Sequence, residues 1–259
     1  MKKKLSCKNG YSRIYGEIYI PDNGEGPFPT VIYAHGLGDN TQPFDIECLV
    51  KQGVAVYCFD FCGGAYASRS EGESIEMSPL TEADDLNAVI DTLRRQDFVD
   101  GANLFLCGIS QGGYVSTVVA SQRPDDIRGL ILLCPAFVIQ QQFKEQFKRK
   151  ENIPAILLLN NMTIGRRFGE DVWEMDIYEQ MKEYQRNVLI FHGDADKLVP
   201  LAFSERAATC FSSAELIVLR GAGHMLAWGY EDTVVPITMQ YINKQIVNHV
   251  LEHETSRHS

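Results

Sequence analysis

The chain has 259 residues, of which 45% are hydrophobic and 22% charged, the composition of a globular protein with a sizeable core. Its formal net charge is −10. That argues against nucleic acid as a main partner, because phosphate binding needs clustered positive charge, and Lys2-Lys3-Lys4 is too short a run to supply it.

In chain order, the segment after Lys4 reads Leu-Ser-Cys-Lys-Asn-Gly-Tyr-Ser-Arg, without the apolar stretch of roughly 7–15 residues that a secretory leader carries. Strands are expected at Arg13–Ile20, Thr30–Ala34, Val54–Phe59, Asn103–Cys107, Gly129–Cys134, Asn187–Phe191 and Glu215–Leu219. Those from Thr30 onward are apolar almost throughout, as suits parallel strands covered on both faces, whereas Arg13–Ile20 alternates and suits an antiparallel edge. Helices are expected at Gln42–Gln52, Thr81–Gln96, Gln111–Gln122, Ala202–Phe211 and Val234–Leu251. In Thr81–Gln96, Leu86, Val89, Ile90 and Leu93 recur at helical spacing. Thr81 and Asp84 resemble a capping box, and Asp84 and Asp85 suit the positive end of the helix dipole.

Alternating strands and helices imply an α/β fold with a doubly wound, mostly parallel sheet. Residues 1–259 read as a single domain. From Phe137 to Arg186 the rhythm breaks, and a structureless loop of that length is improbable, so residues 137–186 are expected to form a cap over the C-terminal edge of the sheet. The apolar runs Leu130–Cys134 and Ile156–Leu159 have strand or short-helix length, well below the roughly 18 residues of a membrane span. Seven cysteines, an odd number scattered through apolar runs, suit reduced core thiols better than a disulfide framework or zinc site. A cytoplasmic location is the default expectation.

Chemistry concentrates at three places. Gly108-Ile109-Ser110-Gln111-Gly112 stands between an expected strand and an expected helix, where flanking glycines let a serine sit on a sharp turn with its hydroxyl exposed. A serine hydroxyl needs a base to take its proton. Among six histidines, His249, His253 and His258 lie at the polar C-terminal end, and His35 and His192 follow strands and suit turns. His224, in Gly221-Ala222-Gly223-His224, follows the last strand and is the expected base. In His192-Gly193-Asp194-Ala195-Asp196-Lys197-Leu198-Val199-Pro200, Asp196 is the expected partner of the imidazole, with Asp194 its competitor. The order Ser110, Asp196, His224 is that of nucleophile-elbow enzymes. Backbone N–H groups of Gln111 and of Leu37, in His35-Gly36-Leu37-Gly38, are the expected oxyanion donors.

Together these motifs resemble the α/β-hydrolase superfamily from roughly Lys3 to His249. Within it the chain looks most like the bacterial cinnamoyl/feruloyl esterase-like group, also labelled serine aminopeptidase or hydrolase-4 type. Phe59-Asp60-Phe61-Cys62-Gly63-Gly64, Ser68-Arg69-Ser70-Glu71-Gly72 and Met77-Ser78-Pro79-Leu80-Thr81-Glu82 carry that likeness. It departs from many members at Cys62-Gly63-Gly64, and by Met225-Leu226-Ala227-Trp228 after His224.

The resemblance implies Ser110 as nucleophile, His224 as base, Asp196 as acid, and Leu37 and Gln111 as oxyanion donors, with no metal or organic cofactor. A cap would supply the acyl pocket, with Phe168, Trp173 and Met225 as substrate contacts and Ile164, Met175 and Tyr178 as further candidates. The expected activity is hydrolysis of short-acyl or hydroxycinnamoyl esters, and the expected partner is a small ester. A homo-oligomer is compatible with the sequence. Aminopeptidase, monoacylglycerol-type lipase and acyltransferase use the same triad, and Glu170, Asp171, Glu174 and Asp176 would suit an aminopeptidase if they faced the pocket. A non-catalytic small-ligand receptor is the reading from a different class.

Overall fold

Runs of Val, Ile, Leu and aromatic residues build an eight-stranded sheet in the computed structural model, which describes residues 1–22, 25–40, 46–224 and 229–256, with side chains to 248. The elements begin with β1 (Lys2–Lys4), β2 (Cys7–Asn9), β3 (Ser12–Ile14), β4 (Gly16–Tyr19), β5 (Phe28–Ala34), α1 (Ile46–Lys51) and β6 (Ala55–Phe59). They continue with α2 (Pro79–Leu93), β7 (Val99–Ile109), α3 (Gln111–Gln122) and β8 (Gly129–Leu133). Between β8 and β11 lie α4 (Ile139–Phe147), a 3-10 turn (Lys150–Asn152), the hairpin β9 (Ile156–Leu159) and β10 (Met162–Gly165), α5 (Arg166–Val172) and α6 (Ile177–Met181). The last elements are β11 (Val188–Gly193), α7 (Ala202–Cys210), β12 (Ala214–Leu219) and α8 (Glu231–Ser256).

The sheet order is β1-β4-β6-β5-β7-β8-β11-β12, antiparallel at β1/β4 and β4/β6 and parallel from β6 to β12. In β7, Leu104 and Leu106 point into one core with Leu86, Val89, Ile90 and Leu93 of α2. Phe105 and Cys107 point into a second core with Leu49 of α1 and Ile242 of α8. Side chains alternate faces along a strand, so a strand covered twice is apolar at most positions, which is why these runs carry few polar residues. Each fully buried Leu, Ile or Val contributes roughly 1.5–3 kcal/mol, and truncating Leu93 to alanine would leave a cavity.

Several boundaries differ from expectation, each for a local reason. The segment read as one strand over Arg13–Ile20 is two: β3 pairs with β2 in a small hairpin, and β4 pairs with β1 and β6 in the main sheet. Helix α2 starts earlier than expected because Ser78, not Thr81, is its N-cap. The Ser78 and Thr81 side chains cap each other's backbone N–H, and Pro79 follows at the first helical position. Asp85 does not serve the dipole; it is buried and accepts hydrogen bonds from Asn9 Nδ2 and the Cys62 N–H. Of the expected helix Gln42–Gln52, residues 42–45 lie outside the described residues, and α1 ends at Lys51. All seven cysteines are free thiols.

Candidate active site

From β5 the chain passes to β6 on one side, while β7 lies on the other. Loops leaving β5 and β7 therefore diverge at the C-terminal end of the sheet and open a crevice there. Ser110 follows the last residue of β7 with φ 51° and ψ −119°, a conformation L residues rarely adopt and one that stores roughly 1–3 kcal/mol. The turn is overdetermined. The Ser110 N–H donates to Leu133 O at 2.9 Å, and its carbonyl accepts from Gly113 at 3.0 Å and Ala136 at 2.9 Å. Glycine is required on both sides: a Cβ at Gly108 would lie 2.3 Å from Gly112 O, and one at Gly112 would lie 2.1 Å from Ala34 O.

Three side chains distant in sequence meet in the crevice. Ser110 Oγ lies 2.9 Å from His224 Nε2, and His224 Nδ1 lies 2.7 Å from Asp196 Oδ2. With the carboxylate accepting from Nδ1–H, Nε2 is free to accept the serine proton. Asp196 Oδ1 accepts from the Leu198 and Val199 N–H groups at 2.9 Å, which holds the carboxylate in place. Burial alone would raise the Asp196 carboxyl. Hydrogen bonds from His192, His224 and the Val199 N–H outweigh it and hold the group well below the usual carboxylate range.

Asp194 is not in this chain; its Oδ1 accepts from the Gly221 N–H at 2.6 Å and shapes the loop carrying His224. His192 bonds Ser204 Oγ and Val199 O, and His35 bonds Gly36 O and accepts from the Phe61 N–H. Both are buried; His35 follows β5 as expected, whereas His192, expected in a turn after its strand, lies inside β11.

Leu37, Ser110, Gln111 and His224 line a cavity of about 500 Å³. Its walls are Ala136, Val138, Ile139, Phe143, Leu157 and Leu159, with Gln142, Glu145, Gln146 and Asn160 as polar members. Leu158, 68% exposed, and Leu198, 49% exposed, also line it.

The expected substrate contacts need correction. Phe168 is fully buried, stacked on Phe143 behind the wall, because α5 packs into the core. Trp173 is also buried away from the lining, its carbonyl accepting from Gln140 Nε2. Ile164 and Tyr178 are core residues, and Met175 Sδ accepts from the Tyr114 hydroxyl. Met225 lies outside the described residues, with the rest of 225–228. Asp171 accepts from the Ser78 hydroxyl and Arg167, and Asp176 caps α6, so neither faces the cavity.

Two features escaped the sequence reading. The Cys134 thiol donates to His224 O at 3.0 Å, tethering the histidine loop to the end of β8. Cys134, Asp196 and His224 offer ligand atoms within 4.8 Å of one another. Burial pushes that thiol well above its ordinary value, however, and disfavours the thiolate a metal needs. The second is Glu82, buried in α2, which accepts from Gln111 Nε2 at 2.7 Å. Its signal was in the spacing: Glu82 falls one turn before Leu86, on the apolar face of its helix.

Proteins similar to this chain include α/β hydrolases. Mouse monoglyceride lipase is 29% identical over 54% of this chain, and the match spans 46% of the lipase. The AB hydrolase superfamily protein YisY of Bacillus subtilis is 24% identical over 87% of this chain and 95% of its own. Among solved structures, ferulic acid-bound Est1E from Butyrivibrio proteoclasticus superposes with a TM-score of 0.84 at 22% identity, covering 94% of this chain and 99% of Est1E; it shares the fold. The family model of Hydrolase_4, described as serine aminopeptidase, S33, matches residues 26–169, and with more than half of its length so matched the chain belongs to that family.

Proposed function

We propose that the protein is a serine-dependent carboxylic-ester hydrolase. The observation that carries this reading is the unbroken hydrogen-bonded series from Ser110 Oγ through His224 to Asp196, opening on the cavity. Ser110 Oγ attacks the ester carbonyl as its proton passes to His224 Nε2, and Asp196 stabilises the imidazolium so formed. The oxyanion is met by the N–H groups of Gln111 and Leu37. His224 then protonates the leaving alkoxide, and water, activated by the same ring, cleaves the acyl-enzyme. Residues 137–186 act as a cap whose α4 and β9–β10 hairpin form the acyl pocket.

Apolar walls with Gln142, Gln146 and Asn160 suit an acyl group with an apolar or aromatic body and a hydrogen-bonding end. A hydroxycinnamoyl ester has that form, and Est1E holds ferulic acid in its solved structure. A monoacylglycerol-type ester is the second reading, favoured by exposed Leu158 and Leu198 at the lining and by the monoglyceride lipase relatives. An aminopeptidase is less favoured, since Asp171 and Asp176 are committed elsewhere.

The test is a panel of aryl acetates, feruloyl esters, monoacylglycerols and amino-acid amides, with phosphonate labelling and mass mapping. Phosphonate is expected on Ser110, and Ser110→Ala is expected to lower kcat by about 10⁶-fold. Substantial hydrolysis by Ser110→Ala, or stoichiometric labelling without turnover on any ester, would reject the enzymatic reading.

A further inference from the structure

Glu82 is 1% exposed in the first turn of α2, on the buried face that carries Leu86, Val89, Ile90 and Leu93. Its Oε2 accepts from Gln111 Nε2 at 2.7 Å, and Gln111 also carries the N–H next to the nucleophile. Its Oε1 lies only 2.6 Å from where a Cβ on Gly64 would be, so the carboxyl packs directly on that glycine's backbone. Gly64 in turn accepts from the Gly38 N–H at 2.8 Å, which fixes the loop carrying Leu37. One side chain thus touches the nucleophile turn and the backbone that anchors the opposing loop.

We propose that Glu82 is a positioning residue for the oxyanion pocket, bracing Gln111 against the Gly64 turn so that the N–H groups of Gln111 and Leu37 keep a fixed separation. This rests on the esterase reading of Ser110. Donors that stabilise a developing oxyanion act through alignment set before reaction, so slack between the two loops lowers turnover more than it weakens ground-state binding. The environment suits the task in charge as well as in shape. Burial pushes the Glu82 carboxyl well above the usual carboxylate range, Asp85 one turn on pushes the same way, and the Gln111 hydrogen bond opposes them. A carboxyl pushed toward its acid form carries less negative charge behind the point where the oxyanion forms.

The experiment compares wild type with Glu82→Met, which fills the space without accepting from Gln111, and Glu82→Gln, which keeps an acceptor of the same shape. Steady-state hydrolysis of p-nitrophenyl acetate is measured with inhibition by phenylboronic acid, whose serine adduct places an anionic oxygen in the oxyanion pocket. Glu82→Met is expected to lower kcat about 10–100-fold with KM within about two-fold, and to weaken boronic acid inhibition by a similar factor. Glu82→Gln should recover most of both losses. The inference fails if Glu82→Met keeps kcat within about two-fold of wild type, if boronic acid affinity does not change with kcat, or if Glu82→Gln behaves like Glu82→Met. Ser110→Ala, run alongside, separates the two levels. If it is inactive while Glu82→Met is fully active, only the role of Glu82 falls; if it remains active, both fall.

Discussion

Two buried carboxyl groups flank Ser110, and their surroundings shift them in opposite directions. Asp196 accepts from two backbone N–H groups and from His224, and is kept ionised. Glu82 receives a neutral amide from Gln111, and burial drives it toward the acid form. Under the proposed mechanism the group held low lies beside the imidazole that becomes a cation, and the group pushed up lies behind the pocket that receives an anion. Residue type alone does not set the charge of a carboxyl; the number and kind of donors around it do.

The sharpest way to break this contrast is to neutralise Asp196. Asp196→Asn is expected to lower kcat by about 10⁴-fold, because the amide can no longer hold His224 in the tautomer that accepts from Ser110. Asp194→Asn, altering only a loop hydrogen bond to Gly221, should cost less than about 10-fold; equal losses, measured with one aryl ester, would reject Asp196 as the acid.

The smallest expected effect concerns stability and has opposite sign at the two sites. Asp196 is depressed when folded, so its contribution is present above about pH 4 and is lost as pH falls through the folded value. Glu82 is raised when folded, so above about pH 4.5 the unfolded chain releases a proton that the native state retains. Stability then declines with rising pH by up to about 1.4 kcal/mol per unit until the folded group ionises. Glu82→Gln removes that slope, and its stability relative to wild type, read from urea melts at pH 5, 7 and 9, should rise with pH. A constant difference would show that Glu82 is already ionised at pH 5.

Much of this was legible in the sequence. Doubly covered strands betray themselves by largely apolar runs. In Gly108-Ile109-Ser110-Gln111-Gly112 the need for glycine at 108 is local, a clash with Gly112 O, whereas that at 112 comes from Ala34 O on the neighbouring strand. The hairpin at the cavity was half legible: Ile156–Leu159 has strand or short-helix length, and Asn160-Asn161, at φ 48° and 64°, which settle it as a hairpin, are the residues a tight turn selects. The wall residues were not legible. Composition marks Phe143 and Phe168 as apolar, yet which one faces the cavity depends on how α5 packs behind α4. Glu82 was hidden because its partner lies on another helix, although its place one turn before Leu86 on the apolar stripe was visible.

Ser110 leaves a strand in the middle of the sheet, whereas His224 follows β12, an edge strand paired only with β11 and half open to solvent. On the proposed mechanism, a chain emerging from synthesis acquires its nucleophile well before its base, and stays chemically silent until the final strand docks. Fraying at that margin would disarm the mature protein while most of the two cores, built on the inner strands, stays packed.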